Sequence, residues 1–367
     1  MSRASWCDNH VPFVPHAHEF AMGAPSTASV EWPREASARV VAAVGERQLR
    51  SVAFNLFECT DDDLVQLALE MLLDGGAARS PALNVDVGAL QTLLLAIRRA
   101  YRSVPFHNFT HAFNVMQACH AFLFEAHCGA LLTEHERFSL LLSCLAHDID
   151  HPGYSNVWQK ASASALAVRY NDTAILESHH CASFFALLTR ADCDVFQQLP
   201  RADFAQFRAA AIELILATDL AQHKVYIDRL ALLDAALLTP VATAANVADA
   251  APTAARRLLM CALIKCADLC NEIRTHALSR RWAPLVLTEF FMQGDAEKQR
   301  GYPVGFTNDR AKVTPASSQI GFIKFLCLPL YDAVVRVVPH MEFARVNLHA
   351  NLKAWEAEAE QGKTGSN

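Results

Sequence analysis

The sequence has few of the features that mark membrane and nucleic-acid-binding proteins. No apolar run approaches the roughly 20 residues that a membrane-spanning helix needs. The 32 Lys and Arg residues are outnumbered by 38 Asp and Glu, which gives a net charge of -6, and they form no basic stripe. Nucleic acid and anionic membrane surfaces are therefore not expected as partners.

Signals for export are also missing from the start of the chain. The first residues, MSRASWCDNH, contain no apolar segment of the kind found in secretory signals, and Ser2 does not fit the myristoylation pattern. The 11 cysteines are an odd number and are scattered through apolar segments, which is typical of reduced thiols. We expect a cytoplasmic protein.

Alternation of apolar and polar residues between hairpin turns is almost absent, whereas helical periodicity is strong. Apolar residues recur at three- and four-residue intervals in TDDDLVQLALEMLL and ALQTLLLAIRRAY. Thr60 followed by three acids is a typical helix start. The sequence predicts a compact all-α, multi-helix domain over residues 46–355, with an irregular arm (1–45) before it and a frayed tail (356–367) after it.

The stretch LAHDIDHPG crowds metal-binding groups at the end of an apolar helix. His147 and His151 are four residues apart, so we expect them on one helical face. A buried carboxylate such as Asp148 costs several kcal/mol unless it is paired or binds a metal. Solvated acids at a capped helix end would also explain this stretch, which by itself favours metal binding only modestly.

Further segments supply groups of the same kind. His107 and His111 in PFHNFTH have the same spacing, and we expect Pro105 to open their helix. Asp268 lies in the apolar segment LIKCADLC, where an acid needs a partner, and Glu177 in LESHHCA adds another carboxylate. Imidazoles with carboxylates suit zinc, and additional carboxylates with water suit magnesium or manganese. Two such metals can activate water for displacement at phosphorus.

Together these segments resemble a known family. The chain is similar to the class I 3′,5′-cyclic nucleotide phosphodiesterases over about residues 95–340, in the order and spacing of HNFTH, HDIDHPGYSN, YNDTAILESHHCA, LATDLAQH, KCADLCNEIR, EFFMQGDAEK and SQIGFIKF. It resembles the type-nine, cGMP-specific branch in detail, in AVRYND, ESHHCA, CNEIR and QIGFIKF. The resemblance implies an HD-type catalytic domain that hydrolyses the 3′ phosphoester of a cyclic nucleotide and releases the 5′-monophosphate.

The resemblance also implies a role for each matching residue. The first of two divalent metal ions, zinc, would be bound by two histidines and two aspartates: His111, His147, Asp148 and Asp268. Waters around the metals would be supported by three further side chains: His151, Glu177 and Thr218. Asp148 would bridge to the second ion, magnesium or manganese. A hydroxide shared by the two ions would attack phosphorus, while His107, oriented by Glu289, would protonate the leaving 3′ oxygen.

The base would be read by a pocket around Gln319. Its amide can pair with either purine according to its flip, and Phe322, three residues later, can stack on the base. Further pocket residues implied by the resemblance are Val286, Phe290, Asn271 and Glu272. A hydrogen bond from Gln319 to Glu272 would hold the Gln319 amide in the orientation that pairs with guanine. Many cAMP-hydrolysing relatives have proline at the position of Glu272. We therefore expect a preference for cGMP, with a dual or cAMP-preferring phosphodiesterase as the alternative.

Two other classes of function fit the residues less well. A hydrolase of nucleoside monophosphates would have no use for the paired Gln319 and Phe322, and a silent binding protein would be free to lose His107. The expected partner is therefore a small-molecule cyclic nucleotide, and the resemblance is also compatible with a homodimer.

Overall fold

The computed structural model describes residues 32, 46–74, 83–238 and 253–364. All regular structure in these ranges is helical, which confirms the predicted all-α fold. The helices before residue 190 are α1 (Glu46–Leu49), α2 (Asp61–Leu73), α3 (Val87–Ala100), α4 (Phe109–Glu125), α5 (Glu134–Ala146), α6 (Asn156–Ala161), α7 (Ala165–Arg169) and α8 (Ile175–Leu188). Those after it are α9 (Arg201–Ala217), α10 (His223–Leu232), α11 (Thr253–Asp268), α12 (His276–Gln299), α13 (Pro315–Phe322), α14 (Leu328–Val337) and α15 (Glu342–Thr364).

Helix α4 runs through the centre of the fold. Every residue from His111 to Leu123 is buried, and the helix packs against α2, α5 and α11. A helix that is apolar on all sides is expected in a core. The few polar side chains of α4 therefore sit in a dry environment, where each needs a partner.

Side-chain caps fix where the helices begin. The Thr60 hydroxyl accepts a hydrogen bond from the backbone N of Asp63 (3.2 Å), and the Asp63 carboxylate accepts one from the backbone N of Thr60 (2.8 Å). This reciprocal pair satisfies two amide groups that the first turn leaves free. It confirms the start predicted for α2.

The start of α4 differs from the prediction. Pro105 does not open the helix, because Asn108 caps it: Oδ1 of Asn108 accepts hydrogen bonds from the backbone N of Thr110 (3.0 Å) and of His111 (3.3 Å). Asparagine is a strong N-cap residue. His107 therefore lies in the connection before α4, and the predicted helical pair of His107 and His111 was wrong.

The end of α5 also corrects an expectation. The helix ends at Ala146, and His147 is its C-terminal cap residue. Asp150 has φ +64° and Gly153 has φ +78°, so the chain turns away instead of continuing as a helix. His151 therefore does not share a helical face with His147.

The structure describes the two predicted end segments only in part. Of the arm 1–45, Trp32 is described, and its Nε1 donates a hydrogen bond to Oε1 of Gln66 (2.9 Å). Helix α15 continues to Thr364, so most of the expected frayed tail is helical. Residues 365–367 lie outside the described residues.

Candidate active site

Two histidines and two aspartates converge where α4, α5 and α11 meet. His111 lies in the first turn of α4, His147 and Asp148 follow the end of α5, and Asp268 is the last residue of α11. Nε2 of His111 lies 3.2 Å from Oδ1 of Asp268 and 3.5 Å from Oδ2 of Asp148. Nε2 of His147 lies 3.3 Å and 3.1 Å from the same two oxygens. The structure thus brings together the four residues predicted as ligands of the first metal.

This arrangement fits a divalent cation. Nδ1 of His147 donates to the carbonyl oxygen of Cys144 (2.8 Å), which leaves Nε2 as the nitrogen with a free lone pair. That Nε2 is buried and makes no hydrogen bond with the described residues. Histidine ligands of metals typically donate the other ring nitrogen in this way. Burial would raise the pKa of Asp268, but the hydrogen bond with His111 and the close contact with His147 lower it, so the carboxylate is held in its charged form.

His180 adds a polar group that the sequence reasoning did not assign. Its Nδ1 donates to the carbonyl oxygen of Ile149 (2.7 Å), and its Nε2 lies 3.4 Å from Oδ1 of Asp148. Burial lowers the pKa of His180 to about 4, so the ring is neutral. The doubled histidine in LESHHCA was the available signal.

His107 and Glu289 form a second, distinct group beside the ligands. Nδ1 of His107 contacts Oε1 of Glu289, and Oε2 of Glu289 accepts hydrogen bonds from the backbone N of Phe106 (3.0 Å) and of His107 (3.1 Å). Burial alone would lower the pKa of His107, but the charge of Glu289 and its hydrogen bond raise it. This favours the protonated form of the ring, in which Nε2 carries a proton that can be donated.

The ring of His151 lies against the His107 ring. It stacks on His107 at 4.1 Å between ring centroids, and its Nδ1 accepts a hydrogen bond from the backbone N of Gly153 (3.0 Å). Potential ligand atoms of His107, His151 and Glu289 lie within 4.8 Å of one another, so this group could also hold a metal ion. Both oxygens of Glu289 are already engaged, by His107 and by the backbone before α4.

The other two side chains expected to support metal-bound waters, Glu177 and Thr218, form hydrogen bonds with other groups of the chain. Both carboxylate oxygens of Glu177 accept from Nδ2 of Asn156 (3.1 and 3.0 Å), and burial raises the pKa of Glu177 to about 7. The Thr218 hydroxyl donates to the carbonyl oxygen of Ile215 (2.8 Å). Their part in water binding stays a prediction.

Four of the residues predicted to bind the base lie on α12 and α13, which pack against each other, and Asn271 and Glu272 lie in the short 3-10 helix Cys270–Ile273 before α12. Gln319 is only 5% exposed, and its side-chain amide makes no hydrogen bond with the described residues. The amide is therefore available to a ligand. Phe322, Val286 and Phe290 are half-buried, as expected for side chains that line a cleft.

The structure corrects the predicted bond between Gln319 and Glu272. Both oxygens of Glu272 accept from the Ser279 hydroxyl (2.8 Å each), and Oε2 also accepts from Nε1 of Trp355 (3.0 Å). The neighbouring Asn271 is engaged by α4, because its Oδ1 accepts from Nδ2 of Asn114 (2.9 Å). The sequence could not reveal this, since Trp355 comes from the last helix.

Comparison with known proteins decides the family. Residues 106–348 match the family described as 3′5′-cyclic nucleotide phosphodiesterase. The chain belongs to this family. The resemblance inferred from the motifs is confirmed, and the fold and sequence are those of a phosphodiesterase enzyme domain.

Named relatives of this phosphodiesterase include enzymes for both nucleotides. High affinity cGMP-specific 3′,5′-cyclic phosphodiesterase 9A of Mus musculus is 35% identical over 294 residues, which cover 80% of this chain and 53% of that protein. 3′,5′-cyclic-AMP phosphodiesterase 4C of Mus musculus is 32% identical over 289 residues, which cover 78% of this chain and 39% of that protein. The chain thus spans about half the length of the first relative and a smaller share of the second.

Solved structures show the same fold. The structure of LmjPDEB1 in complex with IBMX aligns with a TM-score of 0.78 at 30% identity, and covers 91% of this chain and 99% of that one. No helix in the described ranges is both long and apolar enough to cross a membrane.

Proposed function

We propose that the chain hydrolyses the 3′ phosphoester of cyclic nucleotides, with a preference for cGMP, and releases the 5′-monophosphate. The observation that carries this proposal is the pairing of a charged acid, His107 with Glu289, directly beside a four-residue metal cluster. Cyclic diester hydrolysis needs both parts, because the anionic phosphate repels a nucleophile and the 3′ alkoxide is a poor leaving group.

The acid acts at the leaving oxygen. Glu289 holds the proton on Nδ1 of His107 and keeps the ring charged, so Nε2 carries the proton that the 3′ oxygen takes as its bond to phosphorus breaks. Stacking on His151 prevents the ring from turning away. General acid catalysis of this kind contributes about 10²–10⁴-fold to the rate.

The metal cluster orients the phosphate and the attacking water. We assign zinc to His111, His147, Asp148 and Asp268. Asp148 would also help to hold a second ion, magnesium or manganese. Its Oδ2 lies beside His111 and His147, and its Oδ1 lies beside His180. When bound, two divalent ions neutralise phosphate charge and supply hydroxide at neutral pH.

The preference for cGMP rests on the relatives, because the Gln319 amide can pair with either purine according to its flip. Gln319 offers one donor and one acceptor that no described residue occupies. The relative that is 35% identical is named as cGMP-specific, and the 32% identical one as a cyclic-AMP enzyme, so dual or cAMP-preferring activity is the alternative.

A side-by-side kinetic assay tests the proposal. Purified chain is incubated with Mg²⁺ or Mn²⁺, and kcat/KM is measured for cGMP and for cAMP. We expect cGMP to be preferred by at least about tenfold, and His107→Ala and Asp268→Ala to abolish most turnover of both. The matched control is His349→Ala, which changes an exposed histidine of α15. Equal or cAMP-favoured turnover would overturn the preference, and absence of turnover would overturn the activity.

A further inference from the structure

Two connections carry the proposed chemistry, and they run side by side. We define the acid loop as residues 101–108, which lead from α3 to α4 and carry His107. We define the metal turn as residues 147–153, which follow α5 and carry His147, Asp148 and His151. Neither segment is helical, so contacts between them can contribute to the position of the acid relative to the metal ligands, together with the bonds from Glu289.

The contacts begin at Tyr101. Its hydroxyl donates to the carbonyl oxygen of Leu145 (2.9 Å) and accepts from the backbone N of Asp148 (3.2 Å). Tyr101 is buried, so both bonds form away from solvent. The first residue of the acid loop is thus tied to the backbone of a metal ligand.

The next contact is an ion pair between Arg102 and Asp150. Nε of Arg102 donates to Oδ1 of Asp150 (2.6 Å), and Oδ2 of Asp150 accepts from Nε2 of His179 (2.8 Å). Asp150 has φ +64°, a conformation that non-glycine residues rarely adopt. The carboxylate is thereby held between the acid loop and α8.

Two further contacts continue along the loop. Gly153 has φ +78°, and a Cβ atom at this position would lie 3.3 Å from Cγ1 of Val104 and 3.7 Å from Cδ of Glu289. Backbone and side chain are therefore closely packed here. At the end of the loop, His107 stacks on His151.

We propose that Arg102 and Asp150 are positioning residues that set the distance of the general acid from the metal ligands. This inference rests on the proposed function. Neither residue donates the catalytic proton or belongs to the four ligands. Their ion pair is partly exposed, with Arg102 at 49% and Asp150 at 25%, so it adds little to stability. We expect the ion pair to matter because it fixes the position of the acid loop relative to the metal turn. A displacement of about 1 Å in an active site can cost about a hundredfold in rate.

Leaving-group dependence separates this role from a structural one. Cyclic GMP has an alkoxide leaving group and needs the proton from His107. A p-nitrophenyl phosphodiester has a leaving group that departs as an anion, so it needs the metal site but not the acid. A variant that misplaces His107 should lose activity on cGMP and keep it on the nitrophenyl ester, whereas a variant with a damaged fold should lose both.

The variants are Arg102→Gln and Asp150→Asn, because asparagine tolerates the left-handed conformation of Asp150. We expect kcat/KM for cGMP to fall about 10- to 100-fold and that for the nitrophenyl ester to fall less than about threefold. Arg102→Lys should recover part of the loss on cGMP. The matched control is Arg99→Gln, an exposed arginine that forms no ion pair with the described residues, and it should leave both activities unchanged.

A double variant completes the test. If Arg102 acts through His107, Arg102→Gln combined with His107→Ala should lose no more activity on cGMP than His107→Ala alone. Additive losses, or equal losses on both substrates, would overturn the positioning role. If His107→Ala itself failed to separate the two substrates, the acid role proposed for His107 would fall, and this inference with it, whereas absence of turnover by the unaltered chain would overturn the proposed function.

Discussion

Glu289 fixes His107 by both of its oxygens at once. Oε1 contacts Nδ1 of the ring, while Oε2 accepts from the backbone N of Phe106 and of His107 itself (3.0 and 3.1 Å). One carboxylate from α12, only 3% exposed, therefore determines the ring orientation, its protonation and the path of the chain that carries it. The amides that it binds are those left free because α4 starts later, at Phe109.

Replacing this carboxylate should move the pH dependence of catalysis. In Glu289→Gln the charge that raises the pKa of His107 is lost, so burial lowers that pKa and the acid loses its proton at lower pH. We expect the alkaline limb of the kcat/KM profile to shift to lower pH and activity at pH 7 to fall about 10- to 100-fold. Steady-state kinetics with cGMP between pH 5.5 and about 9 measure this. The control is Asp295→Asn, which changes an exposed acid on the same helix and should keep the pH profile of the unaltered chain. An unchanged pH profile in Glu289→Gln would contradict the assignment of Glu289 as the partner that keeps His107 protonated.

The sequence predicted the composition of this site better than its local geometry. The resemblance to the family implied the ligands and the acid, because each stands in one of the matching motifs, and these roles stay predictions. The helix start predicted at Pro105 was wrong because an asparagine cap competes with proline for that role. Asn108 accepts hydrogen bonds from two backbone N–H groups of the first turn. Cytoplasmic location and a homodimer stay predictions.

The motifs could not predict contacts between residues that are distant in sequence. Glu272 was expected to bind Gln319, a neighbour in the proposed pocket, yet its partners are Ser279 and Trp355, the latter 83 residues further along. Periodicity shows which face of a helix is buried, but not which helix covers it. The pairing of Asp150 with Arg102 escaped prediction for the same reason.

Metal content should depend on the four converging side chains. We expect zinc in the purified chain, and its loss in His147→Ala and Asp268→Ala, because each removes one of the donors that meet within 3.5 Å. Elemental analysis after dialysis measures this directly. A chelator should also lower the Tm of the unaltered chain, since a cation that binds only the folded state stabilises it. Unchanged zinc in both variants would rule out this site, and His127→Ala, an exposed histidine, serves as control.

Removal of the Gln319 amide should weaken substrate binding without harming the fold. Its amide has no hydrogen-bond partner among the described residues, so Gln319→Ala leaves no internal group unsatisfied. We expect KM for cGMP to rise about 10- to 100-fold, because the variant loses paired hydrogen bonds to the base, while Tm stays close to that of the unaltered chain. Kinetics and thermal unfolding on one preparation measure both. A lower Tm with unchanged KM would show that Gln319 has a structural role. The control is Ser318→Ala, at the neighbouring position.

Stability should fall as pH rises through neutrality, in part because of Glu272. Burial raises the pKa of this carboxyl from 4.5 to about 7, although Ser279 and Trp355 lower it. The folded state thus binds the proton more tightly than the unfolded state, so the contribution to stability is full below pH 4.5 and is lost as pH rises through about 7. The loss amounts to roughly 3 kcal/mol at most.

Urea unfolding at several pH values checks this. In Glu272→Gln the decline between about pH 5 and 8 should be shallower than in the unaltered chain, because glutamine does not titrate. Trp355→Phe removes one donor to the carboxylate and should move the decline to higher pH. An unchanged slope in Glu272→Gln would show that this carboxyl is ionised throughout.

The central claim is that water attacks phosphorus and the 3′ oxygen leaves. Hydrolysis of cGMP in ¹⁸O-labelled water, with Mg²⁺ present, tests it most directly through chromatography and mass spectrometry of the product. We predict 5′-GMP with a single ¹⁸O atom on the phosphate and none in the 3′ hydroxyl, and we predict that His107→Ala and Asp268→Ala yield almost none. A 3′-GMP product, label in the ribose, or no product from the unaltered chain would contradict the account.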